Sequence, residues 1–208
     1  GTCLASISRG GTMAVLLGAI EPRPWGTLAE VPISGGAPRR ILDDVRDADW
    51  LPDGKTLAVA HRVGGKVRLE MPPGHVIDET AGELIDVRVS RDGKRVAFAE
   101  NPVPPDSRGW IVVMDKTGRI VARTAEWNWL MGAAWSADDR ELWFSASKDG
   151  TSSDLIAISP EGRERIVARF AGLSPLMDVE PNGQVLLIRR NDEMGIRGRG
   201  PLLGEERE

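Results

Sequence analysis

The sequence predicts an all-β protein, a β-propeller of four-stranded antiparallel blades. Three observations lead there. A ten-residue pattern recurs along the chain, each copy centres on a two-residue turn, and no stretch keeps a helical apolar period for a dozen residues. LPDGKTLAVA (51–60) returns as SRDGKRVAFA (90–99), SADDRELWFS (136–145) and EPNGQVLLIR (180–189), with SRGGTMAVLL (8–17) as a degenerate first copy. The turn pairs Gly10-Gly11, Asp53-Gly54, Asp92-Gly93, Asp138-Asp139 and Asn182-Gly183 stand 43, 39, 46 and 44 residues apart. A β-sandwich would also show short alternating strands, but not this self-similarity.

Each copy supplies the same elements. Three positions before the pair stand Ile7, Trp50, Val89, Trp135 and Val179. Four after it stand Ala14, Leu57, Val96, Leu142 and Leu186, and six after it Leu16, Val59, Phe98, Phe144 and Ile188. Period two places each of these sets on one buried strand face. Gly accepts a positive φ, and Asp or Asn hydrogen-bonds its own backbone, so the pair closes a hairpin. The first unit continues with strands at 27–33 and 38–44 around SGGA, and the second has 67–71 as its third strand. The third is the clearest: strands at 85–89, 94–100, 109–115 and 120–124, with a Pro-rich loop at 101–108. The fourth repeats it with LMGAAW, RELWFSAS, DLIAIS and ERIVAR, and the fifth stops at about its fourth strand after MGIRGRG (194–200). The predicted blades are 1–44, 45–80, 83–124, 128–170 and 174–208, one propeller domain over 1–208.

Composition agrees and excludes several classes. The chain has 208 residues with 24 Gly and 14 Pro, many turns and few helices, and a net charge of −4, so no global basic field points to nucleic acid or anionic lipid. The longest apolar run, 13–20, is too short to cross a bilayer. With Cys3, His61 and His75 as the whole Cys and His complement, a Cys/His zinc site is excluded. Of the seven Trp, Trp50, Trp135, Trp110 and Trp143 lie on predicted strands and read as packing between blades.

The units WLPDGKTLAVA, VSRDGKRVAFA and WSADDRELWFSASKDGTSSDLIAIS resemble the TolB-like, WD-repeat-like propeller repeats of bacteria over nearly the whole chain. The stretch from 31 to 60, with DSRGWIVVMDKTGR and LMGAAWSADDRELWFSAS, is similar to the propeller regions attached to bacterial eukaryotic-like Ser/Thr protein kinases. The resemblance implies a six-bladed ring, of which these units would be a part, and a sensor or docking module of bacterial, extracytoplasmic setting. No kinase signature lies in the chain itself.

Candidate chemistry is sparse. No G-x-S-x-G elbow occurs, and His61 and His75 read as surface or turn hydrogen bonders. GIRGRG (195–200) has the wrong glycine order for a dinucleotide loop, and DGTSSD (149–154) lacks the ligand density of a calcium loop, reading as Asx-type turns. Asp47 and Asp49 share a strand face, where crowding or burial raises a carboxyl pKa. Trp25, Trp127 and Trp129 fall outside the strand pattern, and they seal blade edges or line a binding surface. These five residues are the candidate binding surface; no catalytic, cofactor or metal residue is expected. The expectation is a noncatalytic module, not an enzyme, that binds a protein or peptide through the variable segments 19–26, 101–108 and 148–153, without nucleic acid and without inserting in a membrane. The alternatives are the accessory propeller of a prolyl oligopeptidase-like serine peptidase and a propeller hydrolase using axial carboxylates.

Overall fold

In the computed structural model, the described residues are 1–20, 25–104 and 106–189, so MGIRGRG and the end of the fifth unit lie outside them. They form antiparallel sheets and no helix. The first sheet holds β1 (Thr2–Ile7), β2 (Thr12–Leu17), β3 (Gly26–Pro32), β4 (Arg39–Trp50), β5 (Leu57–Val63), β6 (Lys66–Glu70) and β7 (Val76–Thr80) in chain order. The next holds β8 (Glu83–Val89), β9 (Arg95–Asn101), β10 (Trp110–Asp115) and β11 (Ile120–Arg123). A third holds β12 (Trp129–Trp135), β13 (Leu142–Ser147), β14 (Ser153–Ile158) and β15 (Glu164–Phe170), and β16 (Leu176–Val179) pairs with β17 (Val185–Leu187).

The long strand β4 explains why two four-stranded units read as one sheet. Its first half pairs with β3, and from Val45 onward it pairs with β5. Asp44, at φ 54°, marks the crossing from the rim of one unit to the inside of the next. The strands that open the units, β1, β4, β8, β12 and β16, stand side by side in that order. Each breaks register once against the strand that follows it: between Leu4 and Ser6, Val45 and Asp47, Ile85 and Arg88, Leu130 and Ala133, and Leu176 and Asp178. A bulge at the same place in every unit bends the innermost strand and re-aims its side chains.

The core lies between units. Leu84, Val87, Val89, Val96 and Phe98 of the third unit pack on Ala58, Ala60, Val67 and Leu69 of the second. Leu130, Trp135, Leu142 and Phe144 of the fourth pack in the same way on Ala97, Ala99, Ile111 and Val113 of the third. Large side chains from one sheet thus meet alanines from the next, which lets sheets stack closely. Trp50 and Trp135 are buried as expected, and Trp110 and Trp143 are half-buried against the cores.

Two units depart from the expected offsets. In the middle units the turn is closed by bonds five residues apart, Leu51 to Thr56, Ser90 to Arg95 and Ser136 to Glu141. In the first and fifth units the same bond spans four, Ser8 to Thr12 and Glu180 to Gln184. One residue fewer flips every following side chain to the other face. Ala14 and Leu16 therefore face forward onto the second unit, while Leu186 and Ile188, expected to be buried, are 59% and 45% exposed.

Candidate functional site

The two carboxylates on β4 point at the neighbouring inner strand. Asp47 Oδ2 accepts the Val87 amide at 2.9 Å and Asp49 Oδ2 the Val89 amide at 2.8 Å. Each Oδ1 accepts the amide of the following residue, Ala48 at 2.8 Å and Trp50 at 2.9 Å. One strand further on, Asp86 repeats the device, accepting the Gly132 amide at 2.7 Å. These side chains replace the sheet hydrogen bonds that inner strands of separate sheets cannot make with each other.

Between them lies Arg88. It donates to the Val87 carbonyl at 2.8 Å and stands 3.8 Å from Asp47. Burial opposes its charge, but Asp47, Asp86, Asp49 and Asp178 outweigh that and hold its pKa above the ordinary value. Burial pushes the Asp47 carboxyl up against the pull of Arg88 and raises Asp49 to about 6. Four carboxylates thus share one guanidinium. Among the described residues no three His, Cys, Asp or Glu side chains are grouped to hold a metal ion.

The three tryptophans reach the opposite end of the sheets from the Asp-Gly turns. Trp25 precedes β3, Trp127 lies in the connection to β12, and Trp129 opens β12. Trp25 packs on the core between the second and third units, with the Arg62 guanidinium 4.5 Å from its ring centroid. Trp127 is buried, edge-on to Phe144, with Lys148 Nζ 4.6 Å from its ring. Trp129 is half-buried opposite Ser147. Trp129 thus lies on an inner strand, as Asp47 and Asp49 do, whereas Trp25 and Trp127 lie in connections.

Sequence reading did not single out Asp86, Arg88 or Asp178, which stand four or six residues before their turn pairs, as Asp47 and Asp49 do. That offset was the available signal. It also missed Glu70, buried with Oε1 2.9 Å from His61 Nδ1 and Oε2 accepting the Gly74 amide at 2.7 Å. DGTSSD is a loop tied by Asp149, whose Oδ1 accepts the Thr151 and Ser152 amides.

Inner strands standing side by side, each opening an antiparallel sheet, define a β-propeller. The fold is that of the TolB-like propellers. TolB from Acinetobacter baumannii superposes with a TM-score of 0.65 at 18% identity, over 94% of this chain and 52% of that protein. A protein described as TolB from Agrobacterium tumefaciens gives 0.66 at 16% identity, over 87% of this chain and 71% of its own. The chain thus spans about half the length of the Acinetobacter protein. No family model matches the chain, and no curated protein does. A gluconolactonase from Xanthomonas campestris shares the fold, with a TM-score of 0.58 at 16% identity over 84% of this chain and 64% of its own. That likeness overturns the expectation that the chain is not an enzyme. The same scaffold carries catalysis in that protein, because activity resides in side chains placed on a fold rather than in the fold, so a missing motif is no ground for exclusion.

Proposed function

We propose that this propeller is a docking module which binds a protein or peptide through its loop end, as the sensor region of a larger bacterial signalling protein such as a Ser/Thr kinase. The supporting observation is the exposure of large apolar side chains in the variable segments of that end, Ile20 at 74% and Val103 at 61%; Ile33, 64% exposed at the turn end, lies outside those segments. Ile20 and Val103 lie in segments that differ between units, held by sheets whose inter-unit cores are fully buried. Trp129, half-buried at the start of β12, adds an aromatic of the kind that anchors interfaces. The kinase setting rests on the resemblance of the repeats alone.

The test is site-specific photo-crosslinking in cells. A photoreactive residue replaces Ile20, Val103 or Trp129 at the loop end, and Lys116 or Arg163 at the turn end. Discrete protein adducts are expected from the first group, and those from the Trp129 position are expected to be lost with Val103→Ser and Ile20→Ser together. Adducts from the turn end alone, or from neither end, overturn the reading.

A further inference from the structure

We propose that the loop end carries a carboxylate subsite, built from the indole N–H of Trp127 and the ammonium of Lys148, which, on the docking reading above, takes an acidic side chain of the partner. Trp127 is 9% exposed, and its buried Nε1 meets no acceptor among the described residues. Other indoles of the fold are satisfied internally. Trp110 donates to Glu100 at 2.6 Å, Trp135 to the Arg88 carbonyl at 3.0 Å and Trp143 to Glu141 at 3.1 Å. Trp50 also lacks an acceptor, but it lies in the core between the first two units. A buried donor without an acceptor is destabilising, and at a binding end it points to a group that arrives from outside.

Lys148 supplies the charge. Its Nζ stands 4.6 Å from the Trp127 ring centroid. The side chain is exposed and has no carboxylate partner among the described residues. The neighbouring acids are engaged elsewhere: Asp149 accepts from the Ser147 hydroxyl and the Thr151 and Ser152 amides, and Glu126 stands 3.8 Å from Arg108. Backbone bonds hold the pair together. Trp127 exchanges amide–carbonyl bonds with Gly109 at 2.8 and 3.0 Å, and Asn128 donates to the Lys148 carbonyl. Indole and ammonium both donate and neither accepts, so the ligand that satisfies both is an oxygen acceptor. A water would fill the N–H but leave the ammonium without a counter-charge; a carboxylate brings two oxygens and the charge. Glu126 and Asp149 flank the pair in sequence, which disfavours the more highly charged phosphate. The ammonium rides on a flexible stem, so it can leave the ring face to meet the carboxylate and open the way to the indole. Trp129, opposite Ser147 on the next strand, continues the platform for the apolar part of the partner.

The experiment is a titration of the full chain followed through the proton–nitrogen NMR signals of its indoles. The probe is acetyl-Gly-Glu-Gly-amide, compared with acetyl-Gly-Gln-Gly-amide and with inorganic phosphate. Trp127→Phe assigns the signal, and the contact of the ring with Phe144 assigns it should that variant not fold. The glutamate peptide is expected to move the Trp127 signal saturably, and the glutamine peptide to leave it in place. Lys148→Ala should weaken binding about fivefold, with the other indole signals unchanged. An unmoved Trp127 signal, an equal response to the glutamine peptide, tighter binding of phosphate, or an affinity unchanged in Lys148→Ala overturns the subsite. Photo-crosslinking separates this from the docking reading: adducts at the Trp129 position that persist with Lys148→Glu leave docking in place and remove the acidic subsite.

Discussion

Asp139 shows how one side chain can outweigh a backbone rule. It stands where the other middle units have Gly54 and Gly93, and it takes the same left-handed conformation, φ 57° against 65° and 69°. A non-Gly residue there costs on the order of 1 kcal/mol. Its contacts offset that cost: Oδ2 accepts the Asp92 amide at 2.9 Å, and its carbonyl accepts from the Arg95 guanidinium at 2.7 Å. The Asp-Asp pair therefore tolerates a missing glycine by clipping one unit to the next. Asp139→Ala should cost about 1–2 kcal/mol, since strain stays and the clip goes, while Asp139→Gly should cost less because both go together. Urea unfolding midpoints of the two variants distinguish these outcomes; equal losses would show that strain plays no part. The two-residue turn was legible in the sequence, and this clip was not, because its partner lies in another unit.

Hairpins are where local pattern and tertiary position diverge. Offsets four and six after the turn pair located the buried face in the three middle units, where Leu57, Val96 and Leu142 are buried. The same offset failed at Leu186 because the fifth turn is one residue shorter. The difference shows where the strands begin: β2 starts at Thr12 directly after Gly11, and Gln184 alone separates Gly183 from β17, whereas Lys55 and Thr56 separate Gly54 from β5. A direct comparison checks the consequence. Leu142→Ala should cost about 2–5 kcal/mol, a core cavity, whereas Leu186→Ala should stay within about 0.5 kcal/mol in thermal unfolding. The inner-strand carboxylates belong to this scale too. Period two placed Asp47 and Asp49 on one face, but which strand they face, and that Arg88 lies among them, depends on how neighbouring units stack.

Across the whole molecule, two sets of carboxylates pull stability in opposite directions with pH. In the turns, hydrogen bonds from Thr56 and from the Lys55 amide hold Asp53 below its ordinary value, and bonds from Thr117 and Arg119 do the same for Asp115. Such groups add stability above the ordinary carboxylate range and lose it as pH falls through their folded values. Asp47 and Asp49 are raised by burial, so their contributions run the other way, that of Asp49 declining as pH rises through about 6. Thermal unfolding should peak between about pH 5 and 6, with Asp49→Asn moving the maximum towards neutral pH. A stability curve still rising at pH 8 would contradict this. Arg91 acts on the same scale, its guanidinium bonding the Ser136 carbonyl at 2.7 Å and the Val179 carbonyl at 2.5 Å, so one side chain of the third unit ties the fourth and fifth.

Everything within about 40 residues was determined by the sequence alone: the strand period, the turn pairs, the repeat and hence the propeller class. Those features depend on local backbone chemistry and alternation, which neighbouring residues carry in full. What stacks on what was decided by the tertiary structure. It set the bonds from Asp47 and Asp49 to β8, the burial of Trp127 and the outward faces of Leu186 and Ile188. These depend on contacts between residues a whole unit apart, and on a one-residue difference in turn length that reverses a face while barely changing the pattern.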